Sequence, residues 1–307
     1  MSERLPAGPL PAPILSVIIP TRDRCEILKK TLAALENNSD LPPEDYEVLV
    51  VDDGSTDGTW RWLSQARYAY PLRAFQLSGN GPARARNLAI EHARGSRVLL
   101  LGDDTAPRPG ALREHALSPA GREIGIQGLI EWDPSQPISP IMSFLAPAGP
   151  QFYFKGLRPG CAVPFTAVLG SNLSAPLEWF REDPYDEGFP GAAFEDTELA
   201  FRWHRKRKTV IYSDSAVCWH NHVYQTLDPF LARQRQAGRA ARYASRKHPR
   251  LFFRTVAQPL AVGVVAFFRF ALLRLLGRAP ASSVWDLRVR LAFLEGLLSP
   301  VSASGIR

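Results

Sequence analysis

The 307 residues, 45% of them hydrophobic, suffice for one large globular domain with an appendage, or for two small ones. Three cysteines, Cys25, Cys161 and Cys218, are odd in number and far apart, which excludes a disulfide framework or a CxxC metal motif and points to a reducing compartment. The net charge of +7 joins two unlike parts: residues 1–225 hold 23 Lys+Arg and 27 Asp+Glu, residues 226–307 hold 14 and 3, so a nearly neutral body carries a basic tail suited to an anionic partner.

Met1–Pro13 is rich in Pro, Ala and Gly, has no apolar core of signal-peptide length and reads as a loose leader. Ile14–Pro20 is a short apolar run, a buried strand. Arg24–Asn38 places Ile27, Leu28, Thr31, Leu32 and Leu35 on one helix face, and Asn37–Asp40 with Pro42–Pro43 stops it. Tyr46–Val51 is the second strand, Thr56–Arg67 a helix capped by Thr56 or Asp57, and Leu72–Leu77 a weaker strand. A loop over Ser78–Pro82 precedes a helix over Ala83–Arg94 and a fourth strand over Arg97–Leu101. This alternation predicts an α/β fold: a mostly parallel sheet with helices on both faces. Further on, Glu123–Trp132 and Phe165–Ser174 read as strands, and Pro134–Pro164, with seven prolines, as loops with one short helix. Glu195–Lys206 reads as a helix, Thr209–Tyr212 and Ala216–Trp219 as short strands. From Thr226 the chain is wholly helical: a basic helix to His248, an apolar helix over Pro259–Leu276 and a last helix over Val284–Leu298.

Three strands discharge polar residues at one sheet edge: Pro20–Thr21–Arg22–Asp23, Asp52–Asp53 and Asp103–Asp104. In open α/β sheets ligands bind beyond the carboxyl ends of the strands. The first turn, Pro20–Arg24, has no glycine, which excludes a nicotinamide site of the G-x-G-x-x-G kind. Asp103–Asp104 can hold a hard divalent cation, or one of them can cap the helix starting near Pro109. Asp52–Asp53 can do the same, accept from a base or ribose, or form an Asx-turn. Arg84 and Arg86 follow a Gly-rich loop, and one of them can reach phosphate. Glu195–Asp196, with Glu198, suit a helix N-terminus, and one acid in a cleft can act as general base. His220 and His222 alternate, so only one can join a given site.

Six segments in order, Ser16-Val-Ile-Ile-Pro-Thr-Arg-Asp-Arg24, Val50-Val-Asp-Asp-Gly-Ser-Thr-Asp-Gly58, Gly81-Pro-Ala-Arg-Ala-Arg-Asn87, Leu101-Gly-Asp-Asp-Thr105, Phe194-Glu-Asp-Thr-Glu-Leu199 and Trp219-His220, resemble a family 2 glycosyltransferase of the inverting GT-A type. The resemblance covers residues 14–225 and implies a Rossmann-like GT-A domain, with 226–307 as a helical extension. It implies that Pro20, Thr21, Asp23 and Asp53 hold the base and ribose of a nucleoside diphosphate, Arg86 the diphosphate, and Asp103 the ribose side of the metal site. Asp104 and His220 would be ligands of Mg2+ or Mn2+, Asp196 the general base and Glu195 its acceptor-orienting neighbour. Two departures stand out: the acidic triplet begins with Gly102, and the approach to the acids is Gly191-Ala-Ala-Phe194.

The implied activity moves a sugar from a nucleoside-diphosphate sugar, expected to be UDP-linked, to a glycan, lipid-linked or protein acceptor in cell-envelope or polysaccharide synthesis. The alternatives are a sugar nucleotidyltransferase, whose Gly-rich basic loop is missing from Pro20–Arg24, and a degenerate nucleotide- or glycan-binding scaffold. The tail's longest uncharged run, Thr255–Phe268, has 14 residues, short of the ~20 that span a bilayer. The tail either lies on an anionic membrane surface or packs as a lid; nucleic acid is not expected, because no recognition motif accompanies the charge. The expected location is cytoplasmic, peripheral on the inner face of the membrane.

Overall fold

The structure, a computed structural model, describes residues 12–37, 41–117, 123–152 and 154–299. Nearly all of the expected leader, and Asn38–Asp40 of the expected helix stop, lie outside the described residues. Eight strands form one sheet: β1 (Leu15–Thr21), β2 (Tyr46–Asp52), β3 (Leu72–Gln76), β4 (Arg97–Leu101), β5 (Thr105–Pro107), β6 (Ile124–Trp132), β7 (Asn172–Pro176) and β8 (Thr209–His220), in the order β3-β2-β1-β4-β7-β6-β8-β5. The four N-terminal strands β3, β2, β1 and β4 run parallel. Beyond them β7 is antiparallel to both β4 and β6, β6 and β8 are parallel, and β5 turns back on β8.

Alternation explains why the central strands are apolar throughout. Val17, Ile19, Val48, Val50, Leu99 and Leu101 fill one core, which takes Leu28, Leu32 and Leu35 from α1 (Cys25–Glu36) and Leu63 from α2 (Thr59–Leu63). Ile18, Leu49, Val51, Val98 and Leu100 fill the opposite core, with Ala85, Ala89 and Ile90 of α3 (Pro82–His92). Strands covered on both faces read as continuous hydrophobic runs. The in-register pairs Thr21↔Asp52 and Ile18↔Leu100 then bring the carboxyl ends of β1, β2 and β4 to one edge.

The predicted strand Phe165–Ser174 is corrected: Phe165–Ala167 is a 3-10 turn and the strand is β7, Asn172–Pro176. The apolar run misleads because β7 buries polar groups instead. His115 of α4 (Ala111–Leu117) sits 2.8 Å from Asn172 Oδ1 and 2.9 Å from Ser174 Oγ. The two short strands over 209–219 are one strand, with a shift in register: Gly128 faces Ser213, whereas Ile130 faces Cys218. The helix predicted over Thr56–Arg67 shortens to α2, because Gly58 at φ 90° precedes its first turn. After the short helices α5 (Pro140–Leu145) and α6 (Leu177–Glu182) comes α7 (Glu195–Arg205).

The tail forms α8 (Asp228–Lys247), α9 (Gln258–Leu275, entered through a 3-10 turn and a π turn) and α10 (Ala281–Leu298). Helices α8 and α10 meet backbone to backbone: a Cβ at Gly238 would lie 2.6 Å from Leu297 N, and one at Gly296 2.6 Å from Arg235 C. Arg235 pairs with Glu295 and Arg288 with Asp228 across them. The pair sits on the body: Trp285 meets Phe144, Phe293 meets Phe194, and Tyr243 packs on Phe189 and donates to Asp186.

Candidate active site

Two acid pairs stand out, each gripped by one arginine. At the end of β4, Asp103 Oδ2 accepts from Thr21 Oγ1 at 2.8 Å, and Arg24 Nη1 bridges Asp103 Oδ1 at 3.0 Å and Asp104 Oδ2 at 2.6 Å. Burial, reinforced by the charge of Asp104, pushes Asp103 up to about 6 against the pull of Arg24. Burial acts the same way on Asp104, but the charges of His220 and Arg24 outweigh it and hold that carboxyl well below its ordinary range. Burial opposes the charge of Arg24 itself, yet the two aspartates raise its pKa.

His220, at the end of β8, brings Nε2 to 3.3 Å from Asp104 Oδ2. It gets there because β5 pairs Thr105 with His220, and Asn221 N donates to the Asp104 carbonyl at 2.7 Å. His220 Nδ1 is buried with no hydrogen-bond partner among the described residues. His222 lies behind, its ring 4.5 Å from that of Tyr224, and burial lowers its pKa to about 4. The absence of an acid at Gly102 has a local cause: a Cβ there would lie 2.8 Å from Thr105 Oγ1 and 2.9 Å from Asp104 Oδ1.

The loops beside this pair lock one another. Asp53 spends both oxygens on backbone, accepting from Asn80 N and Gly81 N at 2.7 Å each. Asp23, at φ 51°, accepts from Thr56 N at 2.6 Å. Asp52 accepts from Ser55 N. Asp57 caps two helices at once, accepting from Cys25 N of α1 and Thr59 N of α2, both at 3.0 Å. Its burial acts against ionisation, but the bonds from Cys25 and Thr59 keep the carboxyl below its ordinary range.

The second pair opens α7. Arg86 Nη1 donates to Glu195 Oε1 at 2.9 Å and lies 3.6 Å from Asp196 Oδ1, with its guanidinium over the Tyr185 ring. Tyr185 OH donates to Asp196 Oδ1 at 2.9 Å, and Gly170 N to Oδ2 at 2.8 Å. Gly170 must be glycine for this contact, since an added Cβ would lie 2.9 Å from Asp196 Cγ. The Glu195 side chain is 4% exposed and that of Asp196 18%, so Asp196 is the acid that meets solvent. Burial and then the charge of Asp196 raise the Glu195 pKa, with Arg86 pulling it back. Arg86, expected at a diphosphate, therefore spends its charge on the acids of α7. Arg84 pairs with Glu187. Glu198 points away, to Arg202 and His248.

Among the described residues, no group of three or more His, Cys, Asp or Glu side chains stands where it could hold a metal unaided. Asp104 and His220 do converge, offering one hard oxygen and one imidazole nitrogen. Arg24, Tyr185, Gly170 and Asn87 were not singled out from the sequence. Arg24 closes the segment Ser16–Arg24 and Asn87 the segment Gly81–Asn87, so the sequence carries a signal for both. Asn87 clamps the Tyr185 backbone, giving to its carbonyl and accepting from its amide. Tyr185 and Gly170 sit in loops whose composition carries no signal.

Residues 16–118 match the family model of glycosyl transferase family 2. The chain thus carries a segment similar to family 2 glycosyl transferases. Among its relatives, validoxylamine A glucosyltransferase of Streptomyces hygroscopicus subsp. limoneus is 30% identical over 232 residues, covering 65% of this chain and 50% of that protein. Poly(ribitol-phosphate) beta-N-acetylglucosaminyltransferase TarS of Staphylococcus aureus is 35% identical over 103 residues, 33% of this chain and 18% of the relative. The chain thus spans half or less of the length of these two relatives. Among solved structures, mannosyltransferase PcManGT from Pyrobaculum calidifontis, in complex with GDP-Man and Mn2+, superposes with a TM-score of 0.65 at 17% identity, over 96% of this chain and 89% of that one. S. aureus TarS 1-349 in complex with UDP gives 0.53 at 20% identity, over 92% and 91%. The fold of the chain is GT-A, with C-terminal helices added.

Proposed function

We propose that this chain is an inverting glycosyltransferase that moves a sugar from a nucleoside-diphosphate sugar, UDP-linked, to an acceptor hydroxyl in surface-glycan or glycoconjugate synthesis. The observation that carries the reading is the suspension of Asp196. Its carboxylate is oriented by Tyr185 and Gly170, kept near Arg86 and left partly open to solvent. A carboxylate so fixed can take the proton of an attacking hydroxyl. Glu195, buried on Arg86, holds the arginine in place and sharpens the local field. The solved neighbours add support through what they bind, UDP and UDP-GlcNAc in TarS and GDP-Man with Mn2+ in PcManGT.

The strand-end pair fits a divalent cation. Mg2+ characteristically takes one or two protein ligands and completes its shell with water and phosphate oxygens, which matches Asp104 and His220 with Asp103 beside them. Bound there, Mg2+ or Mn2+ would supply Lewis-acid charge for the departing diphosphate. Arg24, which now bridges both aspartates, is free to turn toward phosphate once they are neutralised. Thr21 fixes Asp103 for a ribose contact, and Asp53 shapes the base pocket through the Asn80–Gly81 loop. Pro20 ends the backbone of this pocket, and Asp23 holds its Thr56 wall. The acceptor is a glycan, lipid-linked or protein hydroxyl, and the work is done on the cytoplasmic side of the membrane.

The decisive experiment compares wild type with Asp196→Asn using a labelled UDP-sugar and reads the anomer formed. The expected result is an inverted product, with kcat reduced about 10²–10⁴-fold in the variant while UDP binding is kept. A variant with more than a tenth of wild-type turnover, or a product of retained configuration, would overturn the scheme. UDP binding without turnover in wild type would favour the scaffold reading.

A further inference from the structure

The tail is divided in its environment. Helices α8 and α10 pack on each other and on the body, whereas α9 leaves Val264, Val265, Phe267, Phe268, Leu272 and Leu275 exposed, Phe268 at 67% and Leu275 at 84%. Only Gly263 of α9 is buried, its close neighbour being Leu294 of α10. A contiguous apolar surface of this kind marks an interaction site. Its surroundings are of one sign: residues 229–285 hold eleven Lys+Arg and no Asp or Glu. Arg239, Arg246, Lys247, Arg250, Arg254, Arg269, Arg274 and Arg278 are all exposed.

We propose that α9 is a docking face for an anionic lipid monolayer, its phenylalanines and leucines entering the acyl boundary while the flanking arginines meet headgroups. Charge decides the occupant. A second copy of this chain would set the cations left after Arg235 pairs with Glu295 and Lys247 with Asp186 against their like, whereas an anionic bilayer attracts them, and basic helices with aromatic and leucine faces lie in such interfaces. Beside α9, a groove of about 390 Å³ is lined by Arg242 and Arg246 together with Phe252, Val256, Leu260 and Leu297. Such a lining offers both a guanidinium for a headgroup and hydrocarbon for an acyl chain.

Geometry also fixes the mode of contact. Pro249–Leu275 is a helix of 27 residues, long and apolar enough to cross a membrane by length and composition alone. Its uncharged core, Thr255–Phe268, is 14 residues, about 21 Å at helical rise, against a hydrocarbon thickness of about 30 Å. Both of its ends are tied to one body. His248, just before it, lies 2.7 Å from Glu198 of α7. After five further residues α10 begins and sets Trp285 on Phe144. A spanning helix would leave those anchors on opposite sides of the bilayer, so α9 lies in the interface plane. This docking stands on the tail alone and survives failure of the transferase reading; joined to it, it places the acceptor class among membrane-held molecules.

The test is flotation of the full chain with vesicles of phosphatidylcholine plus phosphatidylglycerol, or of phosphatidylcholine alone, at low and high salt. The expected result is at least tenfold more protein floating with the anionic vesicles, weakened by salt. Phe267→Ser with Phe268→Ser, and separately Arg246→Glu, should each lower that fraction several-fold or more, with UDP binding measured without vesicles as the check on folding. Protein that stays at the bottom with anionic vesicles overturns the proposal, as does a double serine variant that floats like wild type. Concentration-dependent dimerisation abolished by the serine variant, without flotation, would overturn it in favour of self-association.

Discussion

The two acid pairs share a design and differ in one respect. Asp103–Asp104 ends a strand and Glu195–Asp196 begins a helix; each pair is bridged by one guanidinium. The Arg24 side chain is 33% exposed and its Nη1 alone makes both contacts. The Arg86 side chain is 9% exposed and wedged over Tyr185. On the proposed reading the first arginine gives way when another cation arrives, and the second stays. A transferase of the proposed kind would use both: a site that exchanges counter-charge with each donor, and a general base held in one position.

Removing the arginines should separate the two cases. Arg86→Met leaves Glu195 as an uncompensated buried charge and should cost about 3–5 kcal/mol in urea unfolding, with no recovery on adding divalent ion. Gly170→Ala attacks the same pair through position instead of charge. The new methyl would displace Asp196 by a fraction of an ångström, so kcat should fall about 10²-fold with donor KM unchanged; an equal rise in KM would show that Gly170 shapes the donor pocket instead. Arg24→Met should cost less than Arg86→Met, because the Arg24 side chain is itself a third exposed, and Mn2+ in excess should restore that loss by binding the native state. If Arg24→Met proves as costly as Arg86→Met, the distinction between an exchangeable and a fixed counter-charge fails.

Much of this arrangement could be read in the residues. The strand ends at Thr21, Asp52 and Asp103 were visible because apolar runs broke into carboxylates, and the parallel half of the sheet followed from strand–helix alternation. The antiparallel half was harder. β7 hides behind Asn172 and Ser174, whose burial depends on His115 from a distant helix, and no local pattern announces a polar strand interior. The partners of Asp196 were invisible for a similar reason: Tyr185 and Gly170 lie in loops, and only tertiary contact gives them meaning. Arg86 was noticed from the sequence as a phosphate group's neighbour, but its ion pair with Glu195 spans 109 positions. The tail could be read as basic and helical, but not that its three helices would divide into a packed pair and an open one.

The contact between Gly238 and Gly296 has one more consequence. Two helices that touch backbone to backbone cannot slide or swing, and through Tyr243 and Phe293 they are seated on the segment that leads into Glu195 and Asp196. The packed pair therefore ties both ends of α9 to the same body that holds Asp196. Were α9 to lie on a membrane and Asp196 to act as base, as proposed above, that tie would work as a gauge, selecting the acceptor hydroxyl by its height above the surface.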